Sequence, residues 1–156
     1  MARITTNTSG TQPVIKVSMT DDMANAITVP FVQDLTITNA TGVYSYTTFS
    51  DADQRKLSTP ANNEISTNIV VDSTTWFGTT GPSGTTAAAK GLLNLSSAKD
   101  LLFFEVYYAG EATGARFTRG QGFITNLAPK TSPTAPVWVT PLNIAVDGGF
   151  VQDTQA

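Results

Sequence analysis

The sequence predicts a mainly β protein, mostly antiparallel, with one helix. Runs rich in Val, Ile, Thr, Phe and Tyr are separated by Gly, Pro, Asn and Asp turn signals throughout the chain. Only residues 85–99 carry an apolar stripe at helical spacing. Charged residues make up 13% of the chain, against ~25% in an average domain, and Thr alone supplies roughly one residue in six. A hydroxyl-rich surface is cheaper to bury against a neighbour than a charged one, so the composition suits an assembled protein.

Taken in order, residues 1–12 form a loose Thr/Ser/Asn/Gly arm and residues 14–18 a short strand. Asp21 and Asp22 open a turn. Residues 27–38 have strand character interrupted by Pro30 and by Gln33 and Asp34, which points to an edge or a bulge. Residues 43–49 read as one limb of an extended hairpin, with residues 50–63 as its mobile tip. Residues 64–71 are β-branched and form a further strand. After a Gly/Pro/Ser/Thr loop at 79–86, Thr85 or Thr86 can cap the helix, and Ala88, Leu92 and Leu95 form its stripe. Gly91 weakens that helix by roughly 1 kcal/mol relative to Ala, so packing must hold it.

Residues 101–108 are apolar on both faces, as in a strand covered on one side by the core and on the other by a helix or another subunit. Tyr107 and Tyr108 suit apolar surroundings that leave the hydroxyl bonded. A Gly-containing turn at 109–114 leads to a strand over 117–127. Gly120 and Gly122 there mark a bulge or a close backbone approach. Pro129, Pro133 and Pro136 are expected to keep the next loop from pairing. A last hairpin over 137–151 is expected to turn at Asp147-Gly148.

The chain has 156 residues, one domain's worth, with a net charge of −3 and neither Cys nor His. That composition excludes disulfides, thiolate or imidazole zinc sites and every His-dependent triad. No basic block exists, which argues against groove reading of DNA. Met1 to Ile4 lack a signal-peptide run and no stretch approaches ~18 apolar residues, so a soluble chain without membrane insertion is expected.

Chemical motifs fare poorly. Ser96-Ser97-Ala98-Lys99 has Ser-x-x-Lys spacing but lacks the companion motifs of penicillin-recognising enzymes, and reads as a helix end with a favourable Lys. Asp51 and Asp53 alternate like calcium-loop ligands without the Gly and terminal Glu of that loop. Glu64, Asp72, Glu105 and Glu111 cannot be paired from sequence into a glycosidase dyad. Gly120-Gln121-Gly122 lacks the strand–turn–helix setting of a dinucleotide site. Trp76-Phe77 and Trp138 fit core or subunit anchoring better than sugar or base stacking. No catalytic residue, cofactor or metal is expected.

One set of elements carries a resemblance. Glu64-Ile65-Ser66-Thr67-Asn68-Ile69 is followed by Asp72, the helix at 85–99 and the apolar strand at 101–108. Gly122-Phe123-Ile124-Thr125-Asn126-Leu127 and Asp147-Gly148-Gly149-Phe150-Val151 complete it. This order resembles the major tail tube proteins of long-tailed, siphovirus-like bacteriophages. From Glu64 onward the motifs correspond; the first sixty residues match in order and character. The Pro-rich stretch at 129–136 departs from the family, whose counterpart is more acidic and pairs sooner.

The resemblance implies an antiparallel β-sandwich or small barrel flanked by one α-helix, as a single tail tube domain over residues 1–156. Six copies would form a ring whose inner sheets merge around a channel, and rings would stack into a tube. Ring stacking would use the arm at 1–12, the long loop or hairpin at 41–63 and the C-terminal arm at 152–156. Asp34, Glu64 and Glu105 are the expected channel-facing acids. Tyr44, Tyr46, Phe49, Asp51, Arg55, Trp76 and Phe150 are the expected subunit and inter-ring contacts. Implied partners are further copies, a tape-measure protein, tail terminator and tip proteins, and DNA that passes without specific binding. Implied location is the virion tail, after assembly in the host bacterial cytoplasm. A negative lining would repel phosphate. The alternatives are the tube of a contractile tail or type VI-like system, and a β-sandwich carbohydrate-binding module using Trp76 or Trp138.

Overall fold

Strict alternation along the strands determines which side of the sheet becomes the core. The computed structural model describes residues 3–4, 12–50 and 52–156. Its strands are β1 (Val14–Ser18), β2 (Ile27–Thr28), β3 (Val32–Tyr46), β4 (Arg55–Val70), β5 (Leu102–Tyr107), β6 (Arg116–Leu127), β7 (Lys130–Ser132) and β8 (Ala135–Thr154). Three short helices, α1 (Ser73–Phe77), α2 (Ala87–Lys90) and α3 (Leu92–Ala98), lie between β4 and β5. In β4, Ile65, Thr67 and Ile69 are buried, whereas Glu64, Ser66 and Asn68 between them face the other side. Leu142 and Ile144 of β8, Leu102, Phe104 and Val106 of β5, and Ile15 and Val17 of β1 join the buried set. Ala87, Leu92, Leu95 and Trp76 from the helical segment close over it, so the helices cover one face of the sheet.

The strands form one antiparallel sheet in the order β2-β1-β5-β6-β8-β4-β3, with β7 added on β8. Its outermost strands, β2 and β3, are separated only by Val29, Pro30 and Phe31. So short a link spans at most ~14 Å, and the sheet must curl until its ends approach. The fold is therefore mainly β and antiparallel as expected, realised as one open, curled sheet.

Five sequence expectations change. The single helix at 85–99 is two helices, because Gly91 adopts φ +81° and its backbone packs directly on Gly78. A Cβ on Gly91 would lie 2.3 Å from the Gly78 nitrogen, so the glycine is required by both its φ and its contact. Thr86 does cap α2, accepting from the Ala89 N–H at 3.3 Å, and Asp72 caps α1. The expected hairpin turn at Asp147-Gly148 is a bulge within β8: Arg119 pairs with Val151 and Gln121 with Asp147, so three residues of β8 oppose Gly120 alone. Gly148, at φ +90°, takes up the excess chain. The C-terminal arm at 152–156 belongs largely to the sheet, since β8 runs to Thr154 and pairs Arg116 with Thr154.

The Pro-rich loop also pairs. β7 and the start of β8 form a hairpin at the margin of the sheet, turning at Pro133 and Thr134. Its prolines sit in exposed turn or edge positions where a missing N–H is tolerated. Finally, residues 43–63 are not one strand limb and a loose tip. β3 and β4 pair from Val32 and Ile69 out to Tyr46 and Arg55, leaving the turn at 47–54.

Candidate functional site

Because β4 pairs with β8 only from Glu64 to Val70, the outer part of the β3–β4 hairpin leaves the sheet as a two-stranded ribbon. Residues 55–63 have no third strand, and at ~3.3 Å per residue they project about 30 Å. A bulge between Ala40 and Gly42, opposite Thr59 to Asn62, marks its root. At that root the buried Asn63 donates from Nδ2 to the Gly148 carbonyl at 3.0 Å, tying the ribbon to the β8 bulge. Its Oδ1 has no partner among the described residues.

The ribbon is apolar for an exposed element. Tyr44 and Leu57 face each other across it, both more than half exposed. Tyr46 stacks on Tyr44 with ring centroids 6.1 Å apart, and Phe49 at the tip is fully exposed. Arg55 pairs with Tyr46 in the last rung of the ribbon. Asp51 lies outside the described residues.

The two other expected contact residues pack against the core. Trp76 is only 6% exposed and is part of the hydrophobic core, anchoring α1. Phe150 sits edge-on to the buried Phe104 ring at 6.1 Å and is half-buried against the core. Sequence could not separate these from surface aromatics, because burial there comes from the helical segment and the β8 bulge.

The three expected acids do share a face. Register and alternation place Asp34, Glu64 and Glu105 all on the side of the sheet opposite the core. Asp34 accepts from both the Asn68 backbone N–H at 2.9 Å and its Nδ2 at 2.8 Å. The half-buried Glu64 carboxylate has no hydrogen bond or ion pair among the described residues. Glu105 stands between Lys16 on β1 and Arg119 on β6, and accepts from the Tyr107 hydroxyl at 2.9 Å. That hydroxyl lies 2.8 Å from Gln155 Oε1 as well. Burial first, and the Glu105 carboxylate second, raise the Tyr107 pKa well above its ordinary value, so the phenol stays a donor.

A fourth acid, Asp147, stands opposite Gln121 on the same face and accepts from its Nε2 at 3.1 Å. Sequence reasoning misses it by placing it in a turn. Two cations on this face are matched, Lys16 with Glu111 at 2.7 Å and Arg119 with Asp153 at 3.8 Å, while Lys130, placed on the same face by its register with Val139 and Val70, has no ion pair among the described residues. Asp34, Glu64 and Asp147 have no such ion pair among the described residues, so the face has a net negative character.

The chemical motifs stay apart. Ser97 Oγ donates to the Leu93 carbonyl at 2.9 Å, and Lys99 ends α3 in a left-handed conformation at φ 56°. Among the described residues no group of three acids is placed to hold a metal ion. Trp138 is 53% exposed.

No protein-family model and no curated protein matches the chain. Solved structures do share its fold. A chain from the tail of an empty gene transfer agent (GTA) particle, determined by helical refinement with C6 symmetry, matches at a TM-score of 0.66 and 13% identity, over 96% of this chain and 100% of that one. A chain from the virion of a native GTA particle matches at 0.62 and 14%, over 91% and 95%. A chain of an extracellular contractile injection system, the PVC sheath–tube complex in its extended state, matches at 0.59 and 12%, over 91% and 88%.

Proposed function

We propose that this chain is the structural subunit of a tail tube, assembling with copies of itself into stacked hexameric rings around a channel. The observation that carries this reading is the fold shared along essentially the whole chain with a component of a C6-symmetric helical tail. The molecule's own physics supports it. A sheet with open edges and a projecting apolar ribbon is a liability alone and is relieved by assembly.

In this reading the face bearing Asp34, Glu64, Glu105 and Asp147 lines the channel. Its excess of carboxylates repels phosphate, so DNA passes without sticking. The ribbon, with Tyr44, Tyr46, Phe49 and Leu57, makes contacts between rings. The helical face lies outside. A tape-measure protein fills the channel before ejection, and terminator and tip proteins close its ends. The subunit performs no catalysis and resides in the virion tail. The sheath–tube neighbour favours a second reading, in which the helical face carries a contractile sheath.

Negative-stain electron microscopy of the concentrated protein tests the proposal. Hollow tubes or stacked rings with a stain-filled centre are expected. Isolated particles alone, at high concentration and after long incubation, would overturn it. A purified sheath-type protein that decorates those tubes would decide for the contractile form.

A further inference from the structure

The β8 bulge leaves a hollow in the sheet. Gly148 and Gly149 bring no side chain to it, and a Cβ on either would meet nothing within 4 Å. The resulting cavity holds about 340 Å³, the size of a small-ligand site. Phe103 on β5, Gln121 on β6 and Asp147 on β8 form one row of its lining, each opposite the next. Glu105 and Arg119 form the neighbouring row. Asp21 and Met23, from the connection between β1 and β2, close the side away from β8. That connection is held in place. Asp22 accepts from the Thr20 hydroxyl at 2.6 Å and the Ala24 N–H at 3.1 Å, and the Asn25 carbonyl accepts from the Ala88 N–H at 3.1 Å.

Three carboxylates line this cavity against one guanidinium. Glu105 is already engaged: it accepts from the Tyr107 hydroxyl and stands between Lys16 and Arg119. Arg119 in turn lies 3.8 Å from Asp153. Asp21 and Asp147 have no cation among the described residues, and Gln121 holds the Asp147 carboxylate in place at 3.1 Å. We infer that the cavity binds a linear polyamine, with one ammonium against Asp21, another against Asp147, and the methylene chain between them laid over Phe103 and Met23.

The layout of the lining selects this chemistry. The two acids without cations enter from opposite sides, because β5 and β6 lie between β1 and β8, three strand spacings or about 14 Å in all. A compact metal ion needs carboxylates that converge, and among the described residues no group of three acids does so. An elongated dication meets both acids at once. The surface between them is an aromatic ring and a thioether, which suit an alkyl chain and the ammonium groups it carries. A phosphate-bearing ligand would face three carboxylates with only Arg119 to meet it. The inference does not depend on the tube reading. Within that reading, each copy places one such site on its channel face, where a bound amine offsets part of the negative lining.

Titration of the full chain with spermidine, followed by calorimetry and by backbone amide NMR shifts, tests this. Saturable binding is expected, with shifts confined to residues 20–24, 103–105, 119–121 and 147–151. Asp34 and Glu64, acids of the same face outside the cavity, are expected to stay unmoved. Asp21→Asn and Asp147→Asn alter exposed positions, and each is expected to weaken binding about fivefold. Phe103→Leu is expected to weaken it about threefold. Asp53→Asn removes an equal charge from the exposed turn of the ribbon and is expected to leave the affinity unchanged. Binding that does not saturate, shifts spread over every acid of the face, or an equal loss on Asp53→Asn would reveal diffuse counter-ion attraction and overturn the inference. Magnesium chloride that displaces spermidine far better than sodium chloride at matched ionic strength would reveal a metal site and overturn it as well. Either result leaves the tube reading standing, and a failure to form tubes leaves this site standing.

Discussion

The two halves of the β3–β4 hairpin are built from the same two strands and differ in what lies beside them. Inside the body, β4 has β3 on one side and β8 on the other, and Ile65 and Ile69 are completely buried. Past Asn63 it has β3 alone, and Leu57 is 55% exposed. The body half of β4 is richer in β-branched residues, with Ile65, Thr67, Ile69 and Val70 against the Pro60-Ala61-Asn62-Asn63 run of the ribbon, and it alone has a third strand and a core to pack against. The body half holds the subunit together, and the ribbon half leaves its apolar surface for another chain.

The contrast is broken most forcefully from the body side. Phe104→Ala removes a ring that is 1% exposed, that meets Phe150 and lies against Gly120. A loss of about 3–5 kcal/mol is expected in chemical denaturation, enough to unfold a marginal domain. A loss under ~1 kcal/mol would mean that the centre of the core lies elsewhere.

An intermediate effect comes from the polar side of β5. Tyr107→Phe removes hydroxyl contacts with Glu105 and Gln155, where the end of the chain joins the sheet. A cost of about 1–2 kcal/mol at neutral pH is expected. The substitution also carries a pH signature. The folded-state pKa of Tyr107 is raised above its ordinary 10.0, so the unfolded chain ionises first. Its contribution is therefore whole below pH 10 and declines as pH rises through the folded-state value. Denaturation curves from pH 8 to 11 should show the parent losing stability more steeply than the variant above pH 10; parallel curves would remove Tyr107 from the alkaline response.

The smallest effect on stability belongs to the ribbon. Tyr44→Ser and Leu57→Ser alter a surface that is already exposed, and are expected to shift unfolding by less than ~0.5 kcal/mol. Tube formation followed by light scattering should nevertheless fall sharply. A large loss of subunit stability would show instead that the body depends on the ribbon.

The same contrast shows which parts were legible in the sequence. The β-branched run at 64–71 was plain as a strand, and its period of two sets Glu64 on the side opposite Ile65, Thr67 and Ile69. The strand at 14–18 and the apolar strand before Tyr108 were equally plain. Asp147 was not legible, because Asp-Gly followed by Gly is the signature of a hairpin turn and the bulge uses the same left-handed glycine conformation. Trp76 and Trp138 illustrate a second gap. Both are Trp in apolar, Thr-rich surroundings, yet one lies inside the core and the other stands at the sheet's end.

The sequence by itself determined the strand-rich class, the alternation within its plainest strands and the absence of Cys and His chemistry. These depend on residue type and on a period of two, which are local properties. The tertiary structure alone decided that the helix would break at Gly91, that β8 would run through its glycines and that the hairpin would outgrow the sheet. Each depends on a partner distant in sequence: Gly78 against Gly91, β6 holding β8 on both sides of its bulge, and β8 turning from β4 at Ala145. No local pattern encodes where such a partner stops.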